Sequence, residues 1–302
     1  MNEEGRRKKA IFFYNLKSGK KQVAAQAEQI LEILRRGGYD AVGEVMSFSP
    51  DATYDPFNGR EDVDLVVVAG GDGSVNHVVN DMKSRGIDAA LGVIPAGTAN
   101  DLAFALGMNR NYLKAAEQIA FGTEERVDCG YVNGLYFVNI FSFGIFTTTS
   151  QRTPSQLKHK LGRFAYIIQA FQDLQNLHNI KLRIEADGRH ININSLLVLI
   201  LNGATAGGFR LVHNTNVRDG LLDCLILEDR TLFFSTIAML RILMGGKPSA
   251  VQQIRAKNIQ ILCNQNEPTD ADGERGVDFP LNIECLHREL RIISPAAVNH
   301  KV

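Results

Sequence analysis

The chain has 302 residues, of which 45% are hydrophobic and 22% charged, a composition typical of globular proteins that excludes disordered and collagen-like chains. Its 33 Lys and Arg residues balance 33 Asp and Glu residues. A protein that coats nucleic acid needs a surplus of positive charge, so we predict no nucleic-acid partner. The four cysteines lie far apart in sequence and form no CxxC pair, which indicates a reducing compartment.

The first ten residues are mostly charged and contain no apolar core of a secretory signal. No apolar run approaches the roughly 20 residues that a membrane-spanning helix needs. We therefore expect a cytoplasmic protein without a leader peptide or a transmembrane segment.

Short apolar runs alternate with segments of helical periodicity as far as about residue 125. The predicted strands are Lys9–Tyr14, Leu65–Ala69 and Leu91–Ile94, and the predicted helices are Lys21–Arg36, Val75–Arg85 and Asn111–Ala120. Alternation at this spacing predicts a parallel sheet covered by helices. The unbroken apolar run LVVVA is typical of a strand buried on both faces.

Beyond the link at Gly122–Arg126, strands dominate, and we predict an antiparallel β-sandwich or partial barrel. The predicted strands are Tyr136–Phe141, Lys181–Ala186, Ile191–Leu201, Leu221–Leu227, Ile259–Cys263 and Leu290–Ile293. Helices are expected only at Gln156–Leu177 and around Leu232–Met244. The predicted domains are 1–125 and 126–293, with residues 294–302 packing back on the first.

A glycine-rich segment, Gly70–Asn76 (GGDGSVN), lies between a predicted buried strand and a predicted helix. Glycines let the backbone approach a ligand closely, and a helix N-terminus offers N–H groups to an anion. The segment matches neither the Walker pattern GxxxxGK[ST] nor the dinucleotide pattern GxGxxG. Asp72 would repel phosphate unless a divalent cation lay between them. The alternative is a tight turn in which Asp72 or Ser74 caps the helix.

A second such segment, PAGTANDLA at 95–103, also follows a strand and opens a helix. Loops after neighbouring parallel strands meet at the carboxyl edge of the sheet, where ligands bind. Two such loops can form one nucleotide pocket. Taken alone, Asn100 and Asp101 are better explained as helix caps.

GGDGSVN followed by PAGTANDLAFALG resembles the catalytic domain of the diacylglycerol kinase superfamily, most closely its bacterial lipid kinases. Further motifs of the family occur in the expected order: NLKSGK at 15–20, RVD at 126–128, YFVN at 136–139, NVRDGLLD at 216–223 and DADGE at 270–274. The resemblance implies an α/β domain like those of phosphofructokinases and NAD kinases, followed by a β-sandwich domain. It also implies transfer of the ATP γ-phosphoryl group to the hydroxyl of diacylglycerol or a related lipid, in the cleft between the domains.

The resemblance assigns ATP to the first domain and Mg²⁺ to Asp72, bound directly or through water. The residues expected to contact the nucleotide are Asn15, Ser47, Gly70, Gly71, Asp72, Gly73, Ser74, Val75, Asn76, Gly97 and Thr98. Asp101 and Asp128 are expected to belong to a cleft network that orders the loops.

In the second domain, Glu274 matches the proposed general base of the family, and Asp272 is the second choice. An extended backbone would place both carboxylates on one side. The alternative for Asp272 is a hairpin turn with exposed acids.

The segment 216–221 resembles a structural Mg²⁺ site of the family. There the carboxylate of Asp219 would join the main-chain carbonyls of Asn216 and Leu221. Oxygen ligands of this kind suit Mg²⁺.

A lipid substrate implies peripheral contact with the inner membrane surface, and a homodimer is one option. The basic and aromatic segment Arg152–Arg163 is a candidate for that contact, or simply a solvated helix face. Two other functions stay open: a nucleotide-binding regulator of the same fold without turnover, and a NAD kinase-like enzyme. The motifs at 97–103 and 272–274 argue against the NAD kinase-like enzyme, and the retention of Asp72 and Glu274 argues against the regulator.

Overall fold

The computed structural model of the chain describes residues 7–15, 22–46, 55–144, 179–213, 215–229, 251–265 and 267–296. These residues form two compact units, one made of the chain up to Val127 and from Leu290 onward, the other of Asp128–Glu289. Two strands, β5 (Thr123–Val132) and β17 (Leu281–Ser294), each run from one unit into the other. The domain limits expected from the sequence, 1–125 and 126–293, stay a prediction. Ser47 and the predicted helices at 156–177 and 232–244 lie outside the described residues.

The first unit contains a parallel sheet, as the sequence predicts. Its strands run in the order β4-β3-β1-β2, all parallel, and β17 joins β4 in parallel with Ile292 opposite Leu91. Its elements are β1 (Lys8–Tyr14), α1 (Gln22–Arg36), β2 (Tyr39–Val45), β3 (Leu65–Gly70), α2 (Asp72–Ser84), β4 (Ala90–Pro95), α3 (Asp101–Ala105) and α4 (Tyr112–Ala120).

Burial explains why these segments form strands and helices. Every residue of β3 and β4 is buried, as expected for central strands covered on both faces. Helix α1 buries one apolar stripe and ends at Gly37-Gly38, where Gly38 adopts a φ of 94°. Asn111 caps α4, since its side chain accepts hydrogen bonds from the N–H groups of Leu113 and Lys114.

The second unit is built from antiparallel strands, which confirms the predicted class. Its remaining strands are β6 (Leu135–Phe137), β7 (Ile140–Gly144), β8 (Ile180–Ala186), β9 (Arg189–Leu201), β10 (Thr205–Ala206), β11 (Phe209–Arg210), β12 (Leu222–Glu228), β13 (Val251–Ala256), β14 (Asn258–Cys263), β15 (Thr269–Ala271) and β16 (Glu274–Arg275). The long strand β9 pairs antiparallel with β7, β8 and β12. The core of the second unit contains three fully buried phenylalanines: Phe137, Phe141 and Phe143.

Two predicted strands differ from the observed ones. Tyr136–Phe141 is not one strand, because the backbone between β6 and β7 turns its N–H groups toward the side chain of Asp272. Leu290–Ile293 is not a separate strand, because it forms the end of the longer strand β17, and these residues lie in the first unit.

No helix among the described residues has both the length and the apolar character that crossing a membrane requires.

Candidate active site

The two glycine-rich loops contact each other through their backbones. They follow β3 and β4, which are adjacent, with Gly70 opposite Pro95, and Ala96 N–H donates to the carbonyl of Gly70 at 3.0 Å. A Cβ added to Gly97 would lie 2.3 Å from Cα of Gly71. No side chain fits there, so the approach requires glycine and joins both loops in one surface.

Asn100 holds the second loop in shape. It adopts a left-handed backbone with a φ of 55°, and its side chain makes no cap to α3. Its Oδ1 accepts from Gly97 N–H at 2.8 Å, while its Nδ2 donates to the Gly97 carbonyl at 2.9 Å. The N–H of Gly97 is therefore engaged by Asn100. In the sequence analysis Asn100 was considered only as a helix cap, although its place in the PAGTANDLA segment at 95–103 already indicated a role in this loop.

A partly buried acid, Asp72, lies close enough to a buried one, Asp101, for their charges to interact. Asp72 lies in the first turn of α2, and its Oδ1 accepts from Leu102 N–H at 3.4 Å. Burial, and then the charge of Asp101, raise the pKa of Asp72 to about 6. Two carboxylates in mutual repulsion form a donor set that suits a hard divalent cation, which usually completes its shell with water and phosphate.

The N-terminus of α2 points its first N–H groups toward the glycine-rich loop. Its N-cap is Gly71, which has no side chain and therefore makes no side-chain cap to these groups. An anion is stabilised at such a helix end by the N–H groups and the helix dipole. Gly70 tolerates no side chain either, because a Cβ there would lie 2.5 Å from that of Ser74.

The other predicted nucleotide residues occupy different positions. Val75 and Asn76 are buried on α2, and Asn76 Oδ1 accepts from Asn80 Nδ2 at 3.1 Å, so both lie on the inner side of the helix. Thr98 is exposed in the second loop, and Asn15 lies just after β1. Since β1 is the neighbour of β3, Asn15 is at the same edge of the sheet as the glycine-rich loops.

Asp272 and Glu274 lie in a tight hairpin of the second unit. The turn between β15 and β16 is Asp272-Gly273, with φ values of 52° and 95°, so the hairpin alternative is correct for the backbone. Because the turn intervenes, the extended arrangement expected for the two acids is wrong.

The two acids have different surroundings. The carboxylate of Asp272 is buried and accepts from three successive N–H groups: Val138 at 2.7 Å, Asn139 at 3.0 Å and Ile140 at 2.8 Å. Glu274 is exposed, and its side chain has no hydrogen bond or ion pair among the described residues. Asp272 is thus committed to the backbone, and only Glu274 keeps its carboxylate available.

Asp128 organises the 216–221 turn in the second unit. It is fully buried, and its Oδ2 accepts from Gly220 N–H at 2.7 Å. Its Oδ1 accepts from Arg288 N–H at 2.8 Å and lies 2.9 Å from Nδ1 of His287. Since Asp101 belongs to the first unit, the common network expected for Asp101 and Asp128 stays a prediction.

Asp219 has partners other than a metal in this structure. Its Oδ1 accepts from Leu221 N–H at 3.1 Å, and its other oxygen is bound by the guanidinium of Arg255. The carbonyl of Asn216 accepts from Asp219 N–H at 3.4 Å. In the part of the chain that the structure describes, no group of three or more His, Cys, Asp or Glu side chains could hold a metal ion.

Comparison with known proteins gives a family for both parts of the chain. Residues 9–132 match the diacylglycerol kinase catalytic domain, and residues 140–294 match the YegS C-terminal NAD kinase beta sandwich-like domain. The chain is 32% identical to a diacylglycerol kinase of Bacillus subtilis (strain 168), over 95% of this chain and 97% of that protein. It is also 32% identical to a diacylglycerol kinase of Staphylococcus carnosus (strain TM300), over 97% of each.

The fold agrees with these matches. A crystal structure of a diacylglycerol kinase from Bacillus anthracis str. Sterne superposes with a TM-score of 0.79 and 26% identity, covering 97% of this chain and 99% of the other. The glycine-rich loops and the paired acids lie within the first matched segment, and the strands from β7 to β17 lie within the second. The chain therefore belongs to the diacylglycerol kinase family of lipid kinases.

Proposed function

We propose that this protein transfers the γ-phosphoryl group of ATP to the hydroxyl of diacylglycerol or a closely related lipid, and that the reaction requires Mg²⁺. The observation that carries the proposal is the backbone contact of Gly71 with Gly97 beside the paired acids Asp72 and Asp101. Such a surface combines close backbone approach, a helix N-terminus and carboxylates, which phosphoryl transfer uses. The named diacylglycerol kinases at 32% identity support the acceptor.

In this proposal the phosphates of ATP rest on the first unit. Gly70–Ser74 wraps the phosphates, the open N–H groups of α2 bind their oxygens, and Thr98 and Asn15 line the same edge of the sheet. The open N-cap at Gly71 supports this role. Asn100 acts as a positioning residue, because it fixes the loop through Gly97 without offering a group to the nucleotide.

Asp72, with Asp101 beside it, would hold the Mg²⁺. When bound, the ion spreads the charge of the phosphates during transfer. Burial and then the charge of Asp101 raise the pKa of Asp72, and this supports the assignment, because a bound cation would stabilise the ionised form of both carboxylates.

Glu274 takes the proton of the lipid hydroxyl. The hydroxyl oxygen forms a bond to the γ-phosphorus, the bond from that phosphorus to the bridging oxygen breaks, ADP leaves, and the proton moves to Glu274. The exposure of Glu274 and the engagement of Asp272 by three N–H groups favour Glu274 as the base. Asp272 is a positioning residue that anchors the hairpin.

The ATP loops belong to the first unit and Glu274 to the second, so one active site formed by both is part of the proposal. It rests on the family resemblance and is tested through function. Peripheral contact with the inner membrane surface also belongs to the proposal, while its candidate segment, 152–163, lies outside the described residues.

The test is transfer of labelled phosphate from γ-labelled ATP, with Mg²⁺, to lipids in mixed micelles. The panel contains diacylglycerol, monoacylglycerol, a sphingoid base, phosphatidylglycerol and undecaprenol. Wild type is compared with Glu274→Ala and with Glu185→Ala, which removes another exposed acid of the second unit. We expect labelled diacylglycerol that needs Mg²⁺, is lost in Glu274→Ala and persists in Glu185→Ala.

Label on another lipid alone would replace the acceptor and keep the enzyme class. ATP binding without label on any lipid would support the nucleotide-binding regulator instead. Full activity of Glu274→Ala would remove Glu274 from the mechanism.

A further inference from the structure

Arg255 binds two carboxylates at the point where the 216–221 turn enters β12. Arg255 lies on β13 directly opposite Asp223 on β12, and its Nε is 3.3 Å from Asp223 Oδ1. The end of the same guanidinium binds Asp219, four residues earlier in the turn. One cation thus joins the turn to the sheet.

The buried carboxylate of Asp223 requires a positive charge beside it. It is fully buried, and its Oδ1 also accepts from Gln253 Nε2 at 2.8 Å. Its Oδ2 is buried and has no hydrogen-bond partner among the described residues. A buried carboxylate is costly without a positive charge nearby, and Arg255 supplies that charge.

A metal at Asp219 does not fit this arrangement. Both carboxylate oxygens of Asp219 are engaged, one by Leu221 N–H and the other by Arg255. The carbonyl of Asn216 accepts from Asp219 N–H. A Mg²⁺ ion would have to displace the guanidinium and leave it beside a second cation.

We propose that the guanidinium of Arg255 takes the place of the structural Mg²⁺ that the family resemblance implies for the 216–221 turn. The turn is therefore ordered without a metal ion. Arginine suits the role, because its guanidinium is always charged and its planar fork holds two carboxylates at fixed positions. Within the 216–221 turn, Gly220 N–H donates a hydrogen bond to Oδ2 of the buried Asp128 at 2.7 Å. Arg255 is therefore a positioning residue for Asp128 as well, whichever reaction the protein catalyses.

The experiment measures amide hydrogen exchange of peptides covering 215–224, together with the thermal midpoint, on the full chain without nucleotide. Each protein is measured in EDTA and in millimolar Mg²⁺. The proteins are wild type, Arg255→Gln, Arg255→Lys and, as a control, Arg189→Gln, which changes an exposed arginine without a partner in the described structure.

In wild type we expect exchange in 215–224 to be the same in EDTA and in Mg²⁺. Arg255→Gln should exchange at least about tenfold faster there in EDTA and lose on the order of 5 °C in thermal midpoint. Mg²⁺ should restore part of the protection, since it can bind the vacated carboxylates. Arg255→Lys should fall between wild type and Arg255→Gln, because it keeps the charge and loses the fork.

Faster exchange of wild type in EDTA at 215–224 would overturn the proposal and return the site to a metal. Unchanged exchange in Arg255→Gln would overturn it too. If Arg255→Gln does not fold, wild type and Arg255→Lys still decide the question. The readout is local to the turn, so it does not depend on whether the lipid kinase proposal holds.

Discussion

Asp72 is mostly buried beside Asp101, and its pKa is raised to about 6. The folded protein therefore holds a proton on Asp72 at pH values where the unfolded chain has lost it, so stability falls as pH rises toward 6. The pKa rises from its ordinary 3.8 to about 6, and one pKa unit corresponds to about 1.4 kcal/mol, so ionised Asp72 lowers the free energy of unfolding by on the order of 3 kcal/mol.

Asp72→Asn should therefore stabilise the protein at about pH 7.5 and have a much smaller effect near pH 4.5. Thermal midpoints at both pH values, measured without Mg²⁺ and nucleotide, test this, with the exposed Asp40→Asn of β2 as the control. An equal effect at both pH values would show that Asp72 ionises normally.

Substitution of Asp272 should lower the stability of the protein, whereas substitution of Glu274 should lower its activity. Asp272→Asn replaces one of the two carboxylate oxygens with an NH2 group, so at least one of the three N–H groups that it accepts from loses its acceptor, and we expect a loss of roughly 1–3 kcal/mol. Glu274→Gln changes an exposed side chain and should leave stability within about 0.5 kcal/mol while activity is lost. Denaturant unfolding and lipid phosphorylation measured on both variants check this, and the reverse pattern would exchange their roles.

At the scale of elements, the two glycine-rich loops depend on their mutual contact. Gly97→Ala puts a Cβ 2.3 Å from Cα of Gly71, so the loops must move apart. Overpacking of this kind costs about 1–3 kcal/mol, and we expect binding of a non-hydrolysable ATP analogue to weaken about tenfold. Calorimetric titration measures it.

The control is Gly188→Ala in the hairpin between β8 and β9. Gly188 has open space around it and a φ of 81°, so alanine is strained there but meets no atom. It should lower stability by about 1 kcal/mol without changing nucleotide binding. Equal nucleotide affinity in both variants would mean that the Gly71–Gly97 contact does not shape the nucleotide site.

The elements that could be predicted from the sequence are those with a strong apolar signal. β3 and β4 are central strands in which every residue is buried, and their unbroken apolar runs therefore predicted them as strands. β2 and β13 were not predicted in the sequence analysis. Each is an edge strand that pairs with only one neighbour, and its exposed positions carry polar residues that interrupt the apolar signal.

The candidate site was predicted in part for a similar reason. The motifs named Asp72, Asp101 and the glycines of both loops, which the fold brings together. The roles of Asn100, Asp272 and Arg255 depend on partners distant in sequence or on a left-handed backbone, and residue spacing does not reveal these.

At the scale of the whole molecule, the first unit is built from two distant parts of the chain. Leu290, Ile292 and Ile293 of β17 are buried in it, and Arg291 binds Glu124 through Nε at 2.7 Å and the Asp88 carbonyl at 2.6 Å. The parallel sheet of the first unit is therefore completed by β17, the last described strand.

Ile292→Ala should lower stability by about 2–5 kcal/mol, because it leaves a cavity beside β4. Hydrogen exchange should rise across 65–95, the segment that contains β3 and β4. The control, Leu262→Ala, truncates a side chain that is 41% exposed and should change little. An unaffected 65–95 segment would contradict a structural role of β17 in the first unit.

In the proposed reaction, nucleotide binding by the first unit and proton transfer to Glu274 of the second unit serve one phosphorylation of a lipid hydroxyl. The most direct measurement compares diacylglycerol-dependent ATP turnover with affinity for a non-hydrolysable ATP analogue in wild type and Glu274→Gln. We predict unchanged affinity and turnover reduced about 10²- to 10⁴-fold, as expected for loss of a general base. Turnover at the wild-type rate in Glu274→Gln, or no diacylglycerol-dependent turnover in wild type, would contradict the account.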